Sequence, residues 1–257
     1  MKNSEFSYSA ASQTEGGVFR RLLTVSDTDT DCFDRLRPST LLRLFQDAGS
    51  DHAEVMGIGR GLTYEKGALW IIVRTVLDCT RLPRGGEEGV LSTWPGKTKK
   101  VFMPRSFALS TPAGEILARA KSVYLLMDAE SRKMLNPESV GVSAPGVVLP
   151  DELPEPPSRI VFPAELPETE RRAPRYSELD RNGHLNNCRY LDWAEDLLST
   201  EYHRSHALRS LWVEYRMEVR PDDELTLRCV REDDTLYLRG ESARGNHFSL
   251  SVTYSES

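Results

Sequence analysis

The sequence predicts an α+β protein built from two like units. Each unit is a helix set against a curved antiparallel sheet, and a proline-rich connector joins them. Three observations lead there. A helix-period apolar stripe followed by strand-like runs occurs twice along the chain. Between the two lie Pro137, Pro145, Pro150, Pro154, Pro156, Pro157, Pro163 and Pro167, which forbid a continuous helix or a central strand. Short segments of the first unit recur in the second in the same order. A chain of 257 residues holds two units of roughly 120 residues with a real core in each.

Residues 1–16 are polar, carry Glu5 and Glu15, and lack both a secretory apolar run and an Arg-rich, acid-poor stretch. They read as a flexible tail on a cytoplasmic protein. The first unit spans 17–135. It opens with the strand signal VFRRLLTV at 18–25. Pro38 and Ser39 then start a helix whose Leu41, Phe45, Ala48, His52 and Val55 repeat at helical spacing, ending near Gly57. Strand-like runs follow at 68–79, 89–95, 101–110 and 116–128, separated by Gly- and Pro-containing turns.

The connector spans 136–170, and its RIVF segment at 159–162 reads as a short edge strand. The second unit spans 171–257. Its helix presents Tyr190, Trp193, Ala194, Leu197 and Leu198 on one face, and strands follow at about 209–219, 224–231, 235–242 and 247–254. Asp233-Asp234 and Arg244-Gly245-Asn246 read as hairpin turns. Ser26–Asp29 aligns with Ser177–Asp180, and Leu69–Arg74 with Leu211–Arg216. Two such units side by side can share one continuous sheet and so remove their inner edges.

Composition narrows the function. Hydrophobic residues at 39% and charged residues at 28% fit a globular protein. No apolar run approaches the roughly 18 residues that span a bilayer. A net charge of −6 argues against general nucleic-acid binding. Cys32, Cys79, Cys188 and Cys229 are scattered without a CxxC pair, which argues against a zinc site or a disulfide scaffold. GxSxG, a Gly-rich phosphate loop and HExxH are all missing, so neither metal nor organic cofactor is expected.

The chemistry-bearing segment is Tyr176-Ser177-Glu178-Leu179-Asp180-Arg181-Asn182-Gly183-His184-Leu185-Asn186-Asn187-Cys188-Arg189-Tyr190, just before the second helix. Asp180, Asn182 and His184 alternate, so an extended stretch would aim all three the same way. Asp serves as base or nucleophile, Asn and His donate to a developing oxyanion, and His also shuttles a proton. Asn186 or Asn187 can cap the helix. The same pattern also suits a plain turn and N-cap.

This segment resembles the signature of the plant and bacterial acyl-acyl-carrier-protein thioesterases, Leu-Asp-x-Asn-x-His-x-Asn-Asn-x-x-Tyr. Leu179, Asp180, Asn182, His184, Asn186, Asn187 and Tyr190 match it. A second block, Leu-Glu-Tyr-Arg-x-Glu-Cys, stands here as Val213-Glu214-Tyr215-Arg216-Met217-Glu218-Val219. The resemblance runs from about residue 18 to the end and takes in LFQDAG at 44–49. It implies tandem hot-dog domains, the first holding the acyl chain and the second catalytic. It implies Asp180, Asn182, His184 and Glu218 as the catalytic set. It implies hydrolysis of fatty acyl-acyl-carrier-protein, with the acyl carrier protein and its phosphopantetheine-linked chain as partner and further pairing into a homodimer.

Val219 departs from the family, which often carries a Cys there. Water attack is then expected, with Asp180 and Glu218 holding and deprotonating the water, or direct attack by Asp180 through an anhydride. Two nearby carboxylates would raise one pKa toward neutrality. In the first unit the alignment places Asp29 at the Asp180 position, Asp31 at Asn182, Phe33 at His184 and Val76 at Glu218, so that unit is expected to be non-catalytic. Trp70, Ile72, Phe102, Phe107 and Tyr124 are its candidate acyl-tunnel residues, although any one of them also suits plain core packing. Two basic clusters, Lys97-Lys99-Lys100-Arg105 and Arg171-Arg172-Arg175, are candidates for steering an acidic carrier protein. Rival readings are an acyl-CoA thioesterase of the same chemistry and a non-catalytic lipid-binding hot-dog protein.

Overall fold

The computed structural model describes residues 12–150 and 152–256. Its strands are β1 (Ser12–Glu15), β2 (Val18–Thr24), β3 (Ala68–Cys79), β4 (Glu88–Pro95), β5 (Met103–Ser110), β6 (Ile116–Asp128), β7 (Met134–Leu135), β8 (Glu168–Arg172), β9 (His206–Tyr215), β10 (Leu225–Glu232), β11 (Thr235–Ser242) and β12 (Gly245–Glu256). The α-helices are α1 (Pro38–Val55), α2 (Arg60–Glu65), α3 (Arg189–Glu195) and α4 (Thr200–Ser205). All strands join one antiparallel sheet in the order β1-β2-β4-β5-β6-β3-β9-β12-β11-β10-β8, with β7 beside β6.

The seam between the units is β3 against β9, where Arg74–Asp78 pairs with Glu214–Ser210. Each unit closes the other's inner edge, as expected of a shared sheet. The paired stretch is centred on Val76 and Trp212, so these two residues are equivalent across the local twofold. The alignment of Leu69–Arg74 with Leu211–Arg216 is therefore out of register.

Helix α1 forms because its apolar residues recur on one face, with Pro38 in its first turn. It buries Leu41, Leu42, Phe45, Ala48 and His52, while Val55 stays exposed. Phe45 stacks on Phe107 of β5 with ring centroids 5.3 Å apart. The second unit differs from expectation. Its helix stops at Glu195, and Ser199 starts α4 by accepting from the Tyr202 amide at 3.1 Å. A short hydroxyl that captures a backbone N–H favours a new start over continuation. Leu197 and Leu198 pack on the core from the break. One apolar cluster runs under both units, from Phe19 and Leu41 to Trp193 and Phe248.

Three further expectations change. Ser12–Glu15, placed in the tail, pairs with β2, while residues 1–11 lie outside those described. Segment 159–162 forms no strand, and the edge strand of that region is β8, which pairs with β10. The run expected at 209–219 ends at Tyr215, because the Arg216 and Met217 amides both turn to the His247 carbonyl at 2.9 and 3.0 Å. Glu218 consequently sits in a loop.

The connector is strapped onto the outer face of the sheet. Val147 and Leu149 pack on Val18, Trp94 and Ala108. Glu152 is nearly buried, accepts from the Trp94 indole, and pairs with Lys121 at 2.9 Å. Further on, the Ile160 amide donates to Glu214, and Arg239 lies over the Phe162 ring. Prolines reduce the freedom lost in holding such a path.

Candidate active site

The loop from Tyr176 to Cys188 is a compact turn rather than an extended stretch. After a 3-10 turn at Tyr176–Glu178, Leu179 and Leu185 form an isolated bridge. The Asp180 amide donates to the His184 carbonyl at 2.7 Å, and the Gly183 amide to the Asp180 carbonyl at 3.0 Å. Gly183 has φ of +76°, a left-handed conformation that glycine adopts without steric cost. Asp180 Oδ1 gathers the amides of Asn182 at 2.8 Å and His184 at 3.1 Å. Among the described residues its Oδ2 meets only the Asn182 side-chain amide, at 3.4 Å. Convergence of the three residues thus comes from a side chain organising a turn, not from strand alternation.

The loop is braced from below. Glu178 accepts from the Trp193 indole at 2.9 Å, the Arg175 amide at 2.7 Å and Arg172 at 3.0 Å. Burial opposes the charge on Glu178, but these donors overcome it and hold its carboxyl below the ordinary range. Asn186 Oδ1 accepts from the Cys188 amide at 3.0 Å in the turn that leads into α3, and the Asn187 carbonyl receives the Tyr215 hydroxyl at 3.1 Å. Tyr190 is buried against Phe248, with ring centroids 4.6 Å apart. Three signature residues, Asn186, Asn187 and Tyr190, therefore build the loop.

Glu218 arrives by a separate route. The Leu185 amide donates to the Val219 carbonyl at 2.8 Å, which ties the loop to the segment after β9. His184 Nε2 comes within 4.0 Å of Glu218 Oε2. The Glu218 carbonyl is held by buried His247 at 3.0 Å and by Arg244 at 3.1 Å. Its carboxylate pairs with Arg220 at 2.7 Å and with Arg132, from the β6–β7 hairpin of the first unit. Partial burial works against that charge, but the Arg220 bond, Arg132 and His184 hold the carboxyl below the ordinary glutamate range. This corrects the expectation of a carboxylate pair with a raised pKa, since Glu218 is matched to cations. Sequence reasoning missed Arg132, Arg220, Arg244 and His247. Arg220, two residues beyond Glu218, was the one with a local signal.

The first unit repeats the turn's backbone bonds and the amides gathered by its Asp Oδ1. The Asp31 amide donates to the Arg35 carbonyl at 2.7 Å, and the Asp34 amide to the Asp31 carbonyl at 3.1 Å. Asp31 Oδ1 gathers the amides of Phe33 at 2.8 Å and Arg35 at 3.0 Å, and Thr30 bridges to Leu36. Asp34, at φ +62°, stands where Gly183 does. The Leu36 amide donates to the Pro83 carbonyl at 2.8 Å, as Leu185 does to Val219. The positions of Asp180, Asn182, His184 and Glu218 are thus held by Asp31, Phe33, Arg35 and Leu82, which corrects the alignment on Asp29, Asp31, Phe33 and Val76. The imidazole and the second carboxylate are still lacking there.

The other candidate residues occupy different settings. Arg105 is no part of a surface cluster; it is buried beneath α1, 3.2 Å from His52 Nδ1 and 3.3 Å from Thr93 Oγ1. Burial and then Arg105 push His52 down to about 4. Arg172 is spent on Glu178 and Asp196, and Arg171 pairs with Glu168. Ile72 and Phe107 are buried, Trp70 meets Tyr124 edge-on, and Phe102 is partly exposed beside Arg74.

Two fused units sharing one sheet, with a polar acid–amide–imidazole loop furnished in one of them, define a double hot-dog protein. Residues 16–139 match the acyl-ACP thioesterase N-terminal domain and residues 163–251 the acyl-ACP thioesterase C-terminal domain. The chain belongs to the acyl-ACP thioesterase family. It is 28% identical to a chloroplastic palmitoyl-acyl carrier protein thioesterase of Gossypium hirsutum over 86% of this chain and 57% of that protein. It is 27% identical to a chloroplastic dodecanoyl-[acyl-carrier-protein] hydrolase of Cinnamomum camphora over 82% of this chain and 58% of that protein. The chain thus spans little more than half the length of these relatives. In fold it is similar to the 12:0-ACP thioesterase of Umbellularia californica, at TM-score 0.81 and 21% identity, covering 95% of this chain and 100% of that one.

Proposed function

We propose that this protein hydrolyses the thioester between a fatty acyl chain and acyl carrier protein, releasing free fatty acid and the carrier thiol. The observation that carries the reading is the furnished loop. Asp180, Asn182 and His184 converge with Glu218 in the unit that matches the family's C-terminal domain, while the first unit has Phe33, Arg35 and Leu82 in the corresponding places. The first unit is then left to hold the chain.

No thiol serves this site. Val219 is fully buried and apolar. Burial pushes the Cys188 thiol up to about 12, so it carries almost no thiolate at neutral pH. In this mechanism Asp180 Oδ2, the oxygen not committed to the turn, takes a proton from water as the water oxygen attacks the thioester carbonyl carbon. Asn182 Nδ2 and the His184 imidazole donate to the oxyanion. The C–S bond breaks, and the leaving sulfur takes the proton. Glu218, kept anionic by Arg220 and Arg132, lies 4.0 Å from His184 Nε2 and orients the imidazole. Direct attack by Asp180 would instead pass through an anhydride and leave label from heavy-oxygen water in the Asp180 side chain.

The test is thiol release from acyl-carrier-protein and acyl-CoA substrates of graded chain length, wild type beside Asp180→Asn. Turnover favouring the carrier protein and lost in the variant supports the reading. Well-folded wild type that cleaves nothing overturns it in favour of lipid binding.

A further inference from the structure

A polar cavity of about 220 Å³ opens between the turn after β4 and the segment after β7. Lys97, Thr98 and Lys100 form one wall, and Asn136, Glu138 and Ser143 stand on the other. Lys99, the middle lysine of the cluster, is turned away to Glu155 at 2.8 Å. Among the described residues Lys97 and Lys100 face no carboxylate at ion-pair distance, so their charge is directed to the cavity and solvent. Two ammoniums against the one carboxylate of Glu138 leave a net single positive charge. Hydroxyls of Thr98 and Ser143 and the Asn136 amide add neutral donors. The volume equals about seven waters, ample for one tetrahedral oxyanion group with its flanking carbons.

The position is as informative as the charge. Asn136 lies four residues after Arg132, the residue that reaches from the first unit to Glu218. The intervening chain, β7, is extended, so at most about 14 Å separates the two α-carbons. A pantetheine arm stretches about 16 Å from phosphorus to sulfur by ordinary bond lengths. That segment, with the Arg132 side chain beyond it, leads from the cavity to Glu218 and so to His184, a path on the order of the arm's own length.

We infer that the Lys97–Lys100 cavity binds the phosphodiester that joins the prosthetic arm to the carrier protein. This deepens the reading above and rests on it. A phosphodiester carries one negative charge, which complements the cavity's net positive charge.

Two small substrates isolate the contact from any protein surface. One is S-acyl pantetheine, and the other is its methyl phosphodiester. In wild type the phosphodiester should show a KM about tenfold lower, with kcat equal. In Lys97→Gln/Lys100→Gln that advantage should vanish while S-acyl pantetheine is cleaved as before, and Lys97→Arg/Lys100→Arg should restore it. KM for acyl-carrier-protein should rise by a similar factor in the Gln variant. Equal KM for both small substrates in wild type overturns the inference even where acyl-carrier-protein is hydrolysed, because an effect confined to the protein substrate would belong to its acidic surface. An equal loss on both substrates in the Gln variant also overturns it. Wild type inactive on every thioester overturns the parent reading, and this one with it.

Discussion

Two turns in this molecule share a backbone and differ in what their side chains face. In Asp29–Arg37 the second oxygen of Asp31 is taken by Arg35 Nε at 3.0 Å. The guanidinium then reaches across the seam to the carbonyls of His203 at 2.7 Å and His206 at 3.0 Å, at the end of α4. In Glu178–Asn186 the corresponding Asp180 oxygen meets, among the described residues, only an amide, and the imidazole at the Arg35 position faces Glu218. One turn is spent on joining the units, and the other keeps its acid, amide and imidazole accessible. A carboxylate that builds a turn with one oxygen has the other left for chemistry, provided that no cation claims it.

The sharpest break of that comparison exchanges the damage. Asp180→Asn keeps an acceptor for the two turn amides but loses the base, so kcat should fall about a thousandfold with the folded state intact. Asp31→Asn loses the Arg35 pair instead. It should leave kcat within about threefold and lower stability by roughly 1–3 kcal/mol. Thiol release and urea midpoints on both variants check this, and a catalytic loss in Asp31→Asn would undo the assignment.

Next in size is Arg35→Ala. It removes donors to two carbonyls at the α4 end and leaves partly buried Asp31 uncompensated, for about 2–3 kcal/mol. The loss should appear as a lower denaturation midpoint with kcat per folded molecule unchanged. A variant of full stability would show the seam to rest on the β3–β9 ladder alone.

The sequence displayed the sheet because period-two runs and turns are local signals, and it displayed α1 because its stripe is regular. It also displayed Asp180, Asn182 and His184, which lie on one turn. The correspondence between units was misread because helix and loop lengths differ, so short identities such as Leu-Trp matched out of register. A local clue was available. A residue with positive φ stands three positions after each turn-forming Asp, Asp34 in one unit and Gly183 in the other, and Asp is among the residues that tolerate this conformation. Arg132 had no signal at all. It meets Glu218 across 86 residues of sequence, a contact made by the shared sheet and not by any motif. The break after α3 was hidden because Leu197 and Leu198 continue the apolar pattern through it.

Glu218 sharpens the comparison further, since Leu82 replaces it in the first unit. Glu218→Gln should lower kcat by about ten- to a hundredfold while KM changes little. Its pH signature follows from the depressed carboxyl. A folded pKa below the unfolded one contributes stability above the unfolded value, which is lost as pH falls through the folded one. Wild type should therefore lose stability in acid, at and below the ordinary glutamate range, and Glu218→Gln should flatten that part of the profile. Parallel urea midpoints against pH would contradict the Arg132 and Arg220 pairing.

The smallest effect belongs to the thiols. Cys188 stands at the head of α3 beside the furnished turn, yet it is buried and its thiol is pushed up to about 12. Cys79 in the first unit is buried likewise, and its thiol also rises to about 12. Neither can supply a nucleophile at neutral pH, and their positions differ in function without differing in chemistry. Cys188→Ala should keep kcat within about twofold and cost about 1 kcal/mol for the small cavity it leaves. Alkylation of the native enzyme by iodoacetamide should leave turnover intact. Inactivation that tracks modification of Cys188 would mean that the loop opens during turnover, and the reaction would then have to be rewritten around a thiolate.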